Sequence, residues 1–374
     1  MNNRQRIRAI MHYESYDRMP VVSFGFWTET LEKWAEEGYI TKEQSEGYAR
    51  YGDNSPADRS LMAQLGFDFN WNATASGATF LHPGFKEEIL EEKPDGSIIK
   101  RDGSGLIVLV KPGVVSIPAE IGTSMTGREA WEEMYKPRLQ FSPERVPQAF
   151  LERLKAEDAE RDIPLALHCG SLYGNIRNMM GVEALSYLAA DDEDLYAEII
   201  VTVADLCYKC AEYTCQAGID FEYAHFWEDI CFNSGPLINP AVFEEMVGPG
   251  YKRITDMLKG YGIDIVSVDC DGMIDKLIPT WLGNGVNTMF PIEVGTWHAS
   301  MAPWREKYGK ALRGVGGMDK RVFARDKAAV DAEIERLKKL VDMGGYIPCP
   351  DHRIAPDAKY ELVEYYCEEF RKRI

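Results

Sequence analysis

Nothing in the 374-residue sequence approaches the roughly 20 consecutive apolar residues that a bilayer-spanning helix requires. The opening Met1-Asn2-Asn3-Arg4-Gln5-Arg6 lacks the apolar run of a secretory signal, so the expected location is the cytoplasm. Basic residues are also scarce: 42 Lys and Arg stand against 60 Asp and Glu, a formal charge of −18. Nucleic acids and anionic membranes are bound by basic surfaces that displace counterions, so neither is an expected partner. Cysteine is thinly spread, with eight residues and no dense pairing, which opposes a disulfide framework and reads as reduced thiols. A phosphate loop is missing too, because the Gly-rich Gly314-Val315-Gly316-Gly317 has no Lys-Ser/Thr ending. What remains is an ordinary globular composition, 45% apolar and 27% charged, which excludes intrinsic disorder.

Short apolar runs separated by longer amphipathic segments recur along the chain. They are Met19–Phe24, Gly66–Phe69, Ile163–Leu167, Ile219–Tyr223, Ile263–Val268, Val286–Phe290, Ala311–Val315 and Gly345–Pro348. Eight such runs match the strand number of a closed barrel. Helical period is plain between them: Leu195, Ile199, Val203, Leu206 and Cys210 share one face, as do Ile334, Leu337 and Val341. Gly218, Gly262, Gly285 and Gly344 each stand just before a strand candidate, where a left-handed residue turns the chain back into the sheet. From about Phe80 to Val115 the pattern changes to Pro94-Asp95-Gly96 and Asp102-Gly103-Ser104-Gly105 flanked by alternating residues. That predicts antiparallel hairpins inserted after the second strand, near 80–115. The fold class is therefore α/β, and the alternation favours a (β/α)8 TIM-type barrel over a doubly wound sheet, with residues 1–374 forming one decorated domain.

In such a barrel the chemistry sits at the carboxyl ends of the strands. Five expected strand ends carry reactive groups: His168-Cys169-Gly170; Glu222, His225, Trp227 and Glu228; Asp269-Cys270-Asp271-Gly272; Met318-Asp319; and Cys349-Pro350-Asp351-His352. Glu222 and Asp319 have an equally good structural reading, as helix caps or partners of arginines. Asp269 and Asp271 alternate toward the same side, and two carboxylates facing one space repel unless a cation, a proton or a substrate amine separates them. With His352 reaching in from the last strand, the Asp, Asp, His set suits Zn²⁺ with an open position, and Fe²⁺ or Mn²⁺ would also be held. Cys207-x-x-Cys210 lies inside a helical segment and reads as packing. Phe24, Phe26 and Trp27, with Trp227 and Met318 at later strand ends, are the candidate wall of a substrate pocket.

Several segments together carry a family resemblance. Arg4-Gln5-Arg6-Ile7-Arg8-Ala9-Ile10 with Asp17-Arg18-Met19-Pro20-Val21 opens the pattern. Gly174-Asn175-Ile176-Arg177, Met180-Gly181-Val182-Glu183 and Trp227-Glu228-Asp229 continue it, leading to Gly235-Pro236-Leu237-Ile238-Asn239-Pro240. Gly344-Gly345-Tyr346-Ile347-Pro348 with Asp351-His352 and Pro356-Asp357 closes it. This resembles the uroporphyrinogen decarboxylase superfamily over nearly the whole chain, and implies a barrel whose site opens at the carboxyl end. The classical decarboxylase grips a tetrapyrrole's carboxylates with arginines in a Met-Arg-Gln-Ala-Gly-Arg segment after the first strand. Here that place reads Ser23-Phe24-Gly25-Phe26-Trp27-Thr28, with no arginine. Each lost charge-assisted contact forgoes roughly 1.5 to 3 kcal/mol.

The other branch is that of the corrinoid-dependent methyltransferases, whose zinc ligands come from a His-x-Cys-Gly strand end and a later Cys. Matched strand to strand, those positions fall on Asp269-Cys270-Asp271-Gly272 and His352, a change from soft to hard donors. The resemblance thus implies a methyltransferase that moves a methyl group between a small methylated compound and a corrinoid co-substrate on a partner protein. On this reading Glu222, His225 or Asp319 supplies a proton and His168 orients the substrate. Two alternatives stand beside it: a metal-free decarboxylase of a tetrapyrrole or other polycarboxylate, using Arg177 or Arg353, and a non-catalytic barrel that binds a corrinoid or tetrapyrrole. Barrels of this sort commonly pair, so a homodimer is compatible with every reading.

Overall fold

The computed structural model describes residues 1–75, 77–112 and 118–374. The short apolar runs become strands because each can be buried on both faces, between a filled barrel interior and an outer layer of helices. In chain order the strands are β1 (Val22–Ser23), β2 (Phe69–Asn70), β3 (Thr74–Ala75), β4 (Glu88–Glu92), β5 (Ile98–Arg101), β6 (Leu106–Val110) and β7 (Ala119–Thr123). They continue with β8 (Ala166–His168), β9 (Tyr223–Trp227), β10 (Cys231–Phe232), β11 (Gly235–Pro236), β12 (Val266–Asp269), β13 (Thr288–Ile292), β14 (Arg313–Met318) and β15 (Tyr346–Pro350).

Seven strands form a parallel sheet in the order β15-β14-β13-β12-β9-β8-β3, and β1 pairs in parallel with β2. Because β2 runs on into β3 through Trp71–Ala73, the two make one bent stave, and β1 brings the barrel to eight. Closure between the first and last staves is by backbone: Trp27 donates to the Ile354 carbonyl (3.1 Å) and Ile354 to that of Gly25 (3.0 Å). The expected insertion is present as the antiparallel sheet β4-β5-β6-β7, which runs beyond its expected end to Thr123. Val115, where the expected insertion stopped, lies outside the described residues.

The helix Glu193–Cys215 buries Leu195, Ile199, Val203, Leu206 and Cys210, and the helix Lys327–Val341 buries Ile334, Leu337 and Val341, the faces that their period predicted. Cys207, Cys210 and Cys215 pack as buried thiols on the first of these. Gly285 shows why a glycine precedes a stave: its φ is +89°, and a Cβ there would stand 2.5 Å from Thr255 Oγ1. Among the described residues no helix is long and apolar enough to cross a membrane.

One buried carboxyl close to the second stave should be felt in stability. Asp58, in the first turn of the helix Pro56–Leu65, accepts from the Asn54 amide (2.8 Å) and Asn70 Nδ2 (3.3 Å), while its Oδ1 is buried without a partner. Burial, with Asp53 adding to it, pushes its pKa up to about 6. A raised carboxyl stabilises the fold below its unfolded pKa and loses that contribution as pH rises through the folded value. Asp58→Asn should therefore raise unfolding free energy by about 2 kcal/mol at pH 7.5, and the gain should vanish near pH 4. Urea melts of both proteins at the two pH values check this, and an equal or weaker variant at pH 7.5 would contradict it.

Candidate active site

β12 delivers Asp269 to the mouth of the barrel. Its Cα partners are Trp227 on β9 and Phe290 on β13, so the three side chains lie abreast on the inner face. Asp269 is 8% exposed, and among the described residues none donates a hydrogen bond to its carboxyl group. Burial first, then the nearby Asp271, Asp229 and Glu293, push its pKa well above the usual carboxylate range, against the pull of Arg353. Those conditions favour the protonated acid.

Three more carboxyl groups share this cup. Asp271 places Oδ2 at 3.3 Å from His352 Nε2, while its Oδ1 is buried and unpartnered. Asp229 accepts from Arg177 Nη2 (3.2 Å), and burial still raises its pKa. Glu293 accepts from the Gly272 amide (2.5 Å) and Thr296 Oγ1 (2.7 Å), and burial followed by Asp271 raises it as well. Gly272 makes the first of these bonds in a left-handed turn (φ +86°), where a Cβ would collide with the Cys231 carbonyl at 2.5 Å.

The wall is aromatic. Phe24 lies edge-on to Phe290 with ring centroids 4.5 Å apart, and 5.4 Å from His352. Trp27, 43% exposed at the rim, stacks on His352 at 5.5 Å. Trp227 faces the Arg177 guanidinium at 6.0 Å. Arg177 rides on the helix Gly174–Met180, whose first amides are gathered by the fully buried Glu228. That carboxyl accepts from Leu172 N (2.8 Å), Gly174 N (2.9 Å), Tyr173 N (3.0 Å), Ser171 Oγ (2.9 Å) and the Tyr251 hydroxyl. Arg353 is tied back to Asp53 (2.6 Å) and Tyr48 (2.8 Å).

His168 and His225 are Cα partners on β8 and β9, with rings 6.1 Å apart beneath the carboxyl layer. Burial lowers the first to about 4, and burial with His168 lowers the second to about 3, so both are neutral imidazoles at pH 7. His225 Nδ1 has no partner.

Four expected site residues stand elsewhere. Glu222 precedes β9 and so lies at the amino end of the barrel, bound to Arg4 Nε (2.6 Å), Arg161 Nη1 (2.7 Å), Arg8 Nη2 (3.3 Å) and the Leu165 amide (2.8 Å). Asp319 caps the turn Lys320–Ala324 and holds Arg321 with both oxygens (2.8 Å each). Phe26 is drawn into the core against Trp34 and Tyr48 (5.7 and 5.8 Å), because its backbone pairs with Ile354. Met318 is wholly buried and offers a ligand no surface.

The expected zinc ligands come together only in part. Asp271 meets His352, yet among the described residues no three His, Cys, Asp or Glu side chains are placed to hold one metal ion. As placed, Asp269, Asp271 and His352 do not fit a three-ligand zinc centre. Glu293, Asp229 and Asp53 were not foreseen as site residues. Glu293 stands three residues past the expected end of the sixth strand, where a search of strand ends extended by one turn would find it.

Among solved structures, a methyltransferase from Methanosarcina mazei is similar over 100% of this chain and 98% of its own, with TM-score 0.61 and 14% identity. A B12-independent methionine synthase from Shewanella sp. W3-18-1, in complex with selenomethionine, is similar over 95% of this chain and 98% of its own, with TM-score 0.51 and 13% identity. At such identities the likeness establishes the barrel fold. Comparison with curated protein sequences returns no match. The family model described as uroporphyrinogen decarboxylase (URO-D) matches residues 135–373, well over half the chain, and the protein belongs to that family.

Proposed function

We propose that the protein is a methyltransferase that moves a methyl group between a small methylated compound and a corrinoid carried by a separate protein. The observation that carries this reading is Asp269: an acid nearly removed from water, holding no protein hydrogen bond, at the bottom of an aromatic-walled cup. When a methyl group leaves oxygen, sulfur or nitrogen, the heteroatom gains a lone pair that takes a proton. Asp269 has one to give, and a positioned acid of this kind is worth about 10²- to 10⁴-fold in rate. Asp271 and His352 flank it and re-supply the proton from solvent, while Phe24, Trp27 and Trp227 hold the methylated compound and keep water out. The corrinoid, as co-substrate, supplies the cobalt that takes or gives the methyl group. The reading accords with the name of the Methanosarcina mazei structure.

Charge disfavours decarboxylation of a polycarboxylate. Arg177 and Arg353, the cations such a substrate needs, are engaged by Asp229 and Asp53. A polyanion would instead face Asp229, Asp271 and Glu293, and each like-charge pair 5 to 6 Å apart costs about 3 kcal/mol at an effective dielectric of 20. We also treat residues 1–374 as one domain, since Arg4 in the first helix pins Asp220 and Glu222 in mid-chain.

The test is spectral. Purified protein mixed with cob(I)alamin and, in turn, methyl ethers, thioethers and methylamines should bleach the Co(I) band with at least one class. Should every donor leave the band untouched while uroporphyrinogen releases CO₂, the decarboxylase reading replaces this one. Binding of the corrinoid with neither reaction would leave only a carrier.

A further inference from the structure

The cup brings four carboxyl groups together and answers them poorly with positive charge. Arg177 is held by Asp229 (3.2 Å), Arg353 by Asp53 (2.6 Å), and Lys320 Nζ donates to the Arg353 carbonyl (2.9 Å). None of the three donates to Asp269 or Asp271. Asp269 is 8% exposed and takes no hydrogen bond from any described residue, and Asp271 Oδ1 is buried with none. Acidic residues alone would say little. Here an unpartnered buried carboxyl lies abreast of Phe290, which Phe24 meets edge-on at 4.5 Å, below a rim where the half-exposed Trp27 stacks at 5.5 Å on the imidazole that meets Asp271.

Carboxyl oxygens attract a cation, and the negative face of an aromatic ring attracts one most when its charge is diffuse and weakly hydrated. An alkali ion or a primary ammonium is strongly hydrated and wants oxygen atoms all round, which the rim indole of Trp27 does not provide. A cation wrapped in methyl groups satisfies both parts of the wall at once. We propose that the methylated compound this cup accepts is a small quaternary ammonium ion. The proposal rests on the methyl-transfer reading and narrows it, since a methyl ether or thioether of the same shape carries no charge for Asp271 to meet.

Choline and its uncharged carbon isostere, 3,3-dimethylbutan-1-ol, separate charge from shape. In calorimetric titrations of the full chain, choline should bind at least 30-fold more tightly than the alcohol. Asp271→Asn should weaken choline at least tenfold and leave the alcohol within twofold. Trp27→Leu, at an exposed rim position where folding is safe, should weaken choline about fivefold. Equal binding of the two ligands, no binding of choline, or an Asp271→Asn protein that keeps the parent's full preference for choline overturns the proposal, as does tighter binding of (2-hydroxyethyl)dimethylsulfonium than of choline. Choline bound without methyl transfer from any donor to cob(I)alamin keeps this site and removes the methyltransferase reading. A methyl ether demethylated by protein that ignores choline does the reverse.

Discussion

Asp269→Asn should slow methyl transfer about 10²- to 10⁴-fold and leave the protein at least as stable as before. The side chain keeps its shape, and since the Asp269 carboxyl receives no hydrogen bond from a described residue, no protein partner is abandoned. What is lost is a transferable proton, which burial and the neighbouring Asp271, Asp229 and Glu293 keep on the acid. The defect should therefore fall on kcat, with KM for the methyl donor changed far less, because an acid that acts only as the bond breaks contributes little to ground-state binding. Single-turnover bleaching of cob(I)alamin at saturating donor measures the step directly. A variant within threefold of the parent would show that Asp269 gives no proton in the rate-limiting step.

Glu222→Ala should cost about 3–5 kcal/mol of stability. The side chain is fully buried at the amino end of the barrel, where it gathers Arg4, Arg8 and Arg161 and accepts the Leu165 amide. Its removal strands Arg4 and Arg161, both largely buried, without their inner counter-charge. Urea unfolding at neutral pH reads the loss as an earlier midpoint with an unchanged slope. Activity per folded molecule should be unaltered, since the residue lies at the far end from the cup. A variant that folds normally and is inactive would return Glu222 to the chemistry.

That residue also shows how far the sequence could be read. The eight staves were legible as apolar runs, and the insertion as a change from helical to alternating period. The fourth run, Ile219–Tyr223, however, ends where the strand begins, because β9 is Tyr223–Trp227. Its inward residues, Tyr223, His225 and Trp227, are polar or amphipathic and gave no apolar alternation to mark them. A slip of four residues along a stave moves a side chain from floor to rim, and so Glu222 was expected at the mouth. Asp269, Asp271 and His352 stand at or just past the carboxyl ends of β12 and β15, which lie within two residues of the ends of their apolar runs. Whether their oxygens and nitrogen converge is a matter of a few ångströms in side-chain direction, which spacing along a strand does not encode. The Arg353–Asp53 pair joins residues 300 positions apart and leaves no local trace.

The seam between the first and last staves has a biosynthetic consequence. Trp27 stands on one lip of that seam and His352 on the other, with two backbone bonds and the Arg353–Asp53 pair drawing the lips together and Arg371 latching the tail to Asp68 (3.0 Å). A chain still emerging from the ribosome owns the tryptophan long before it owns the imidazole that the indole lies against. Until the final stave is seated, the half-made barrel is a trough open along one side, and the stacked pair at its rim does not yet exist.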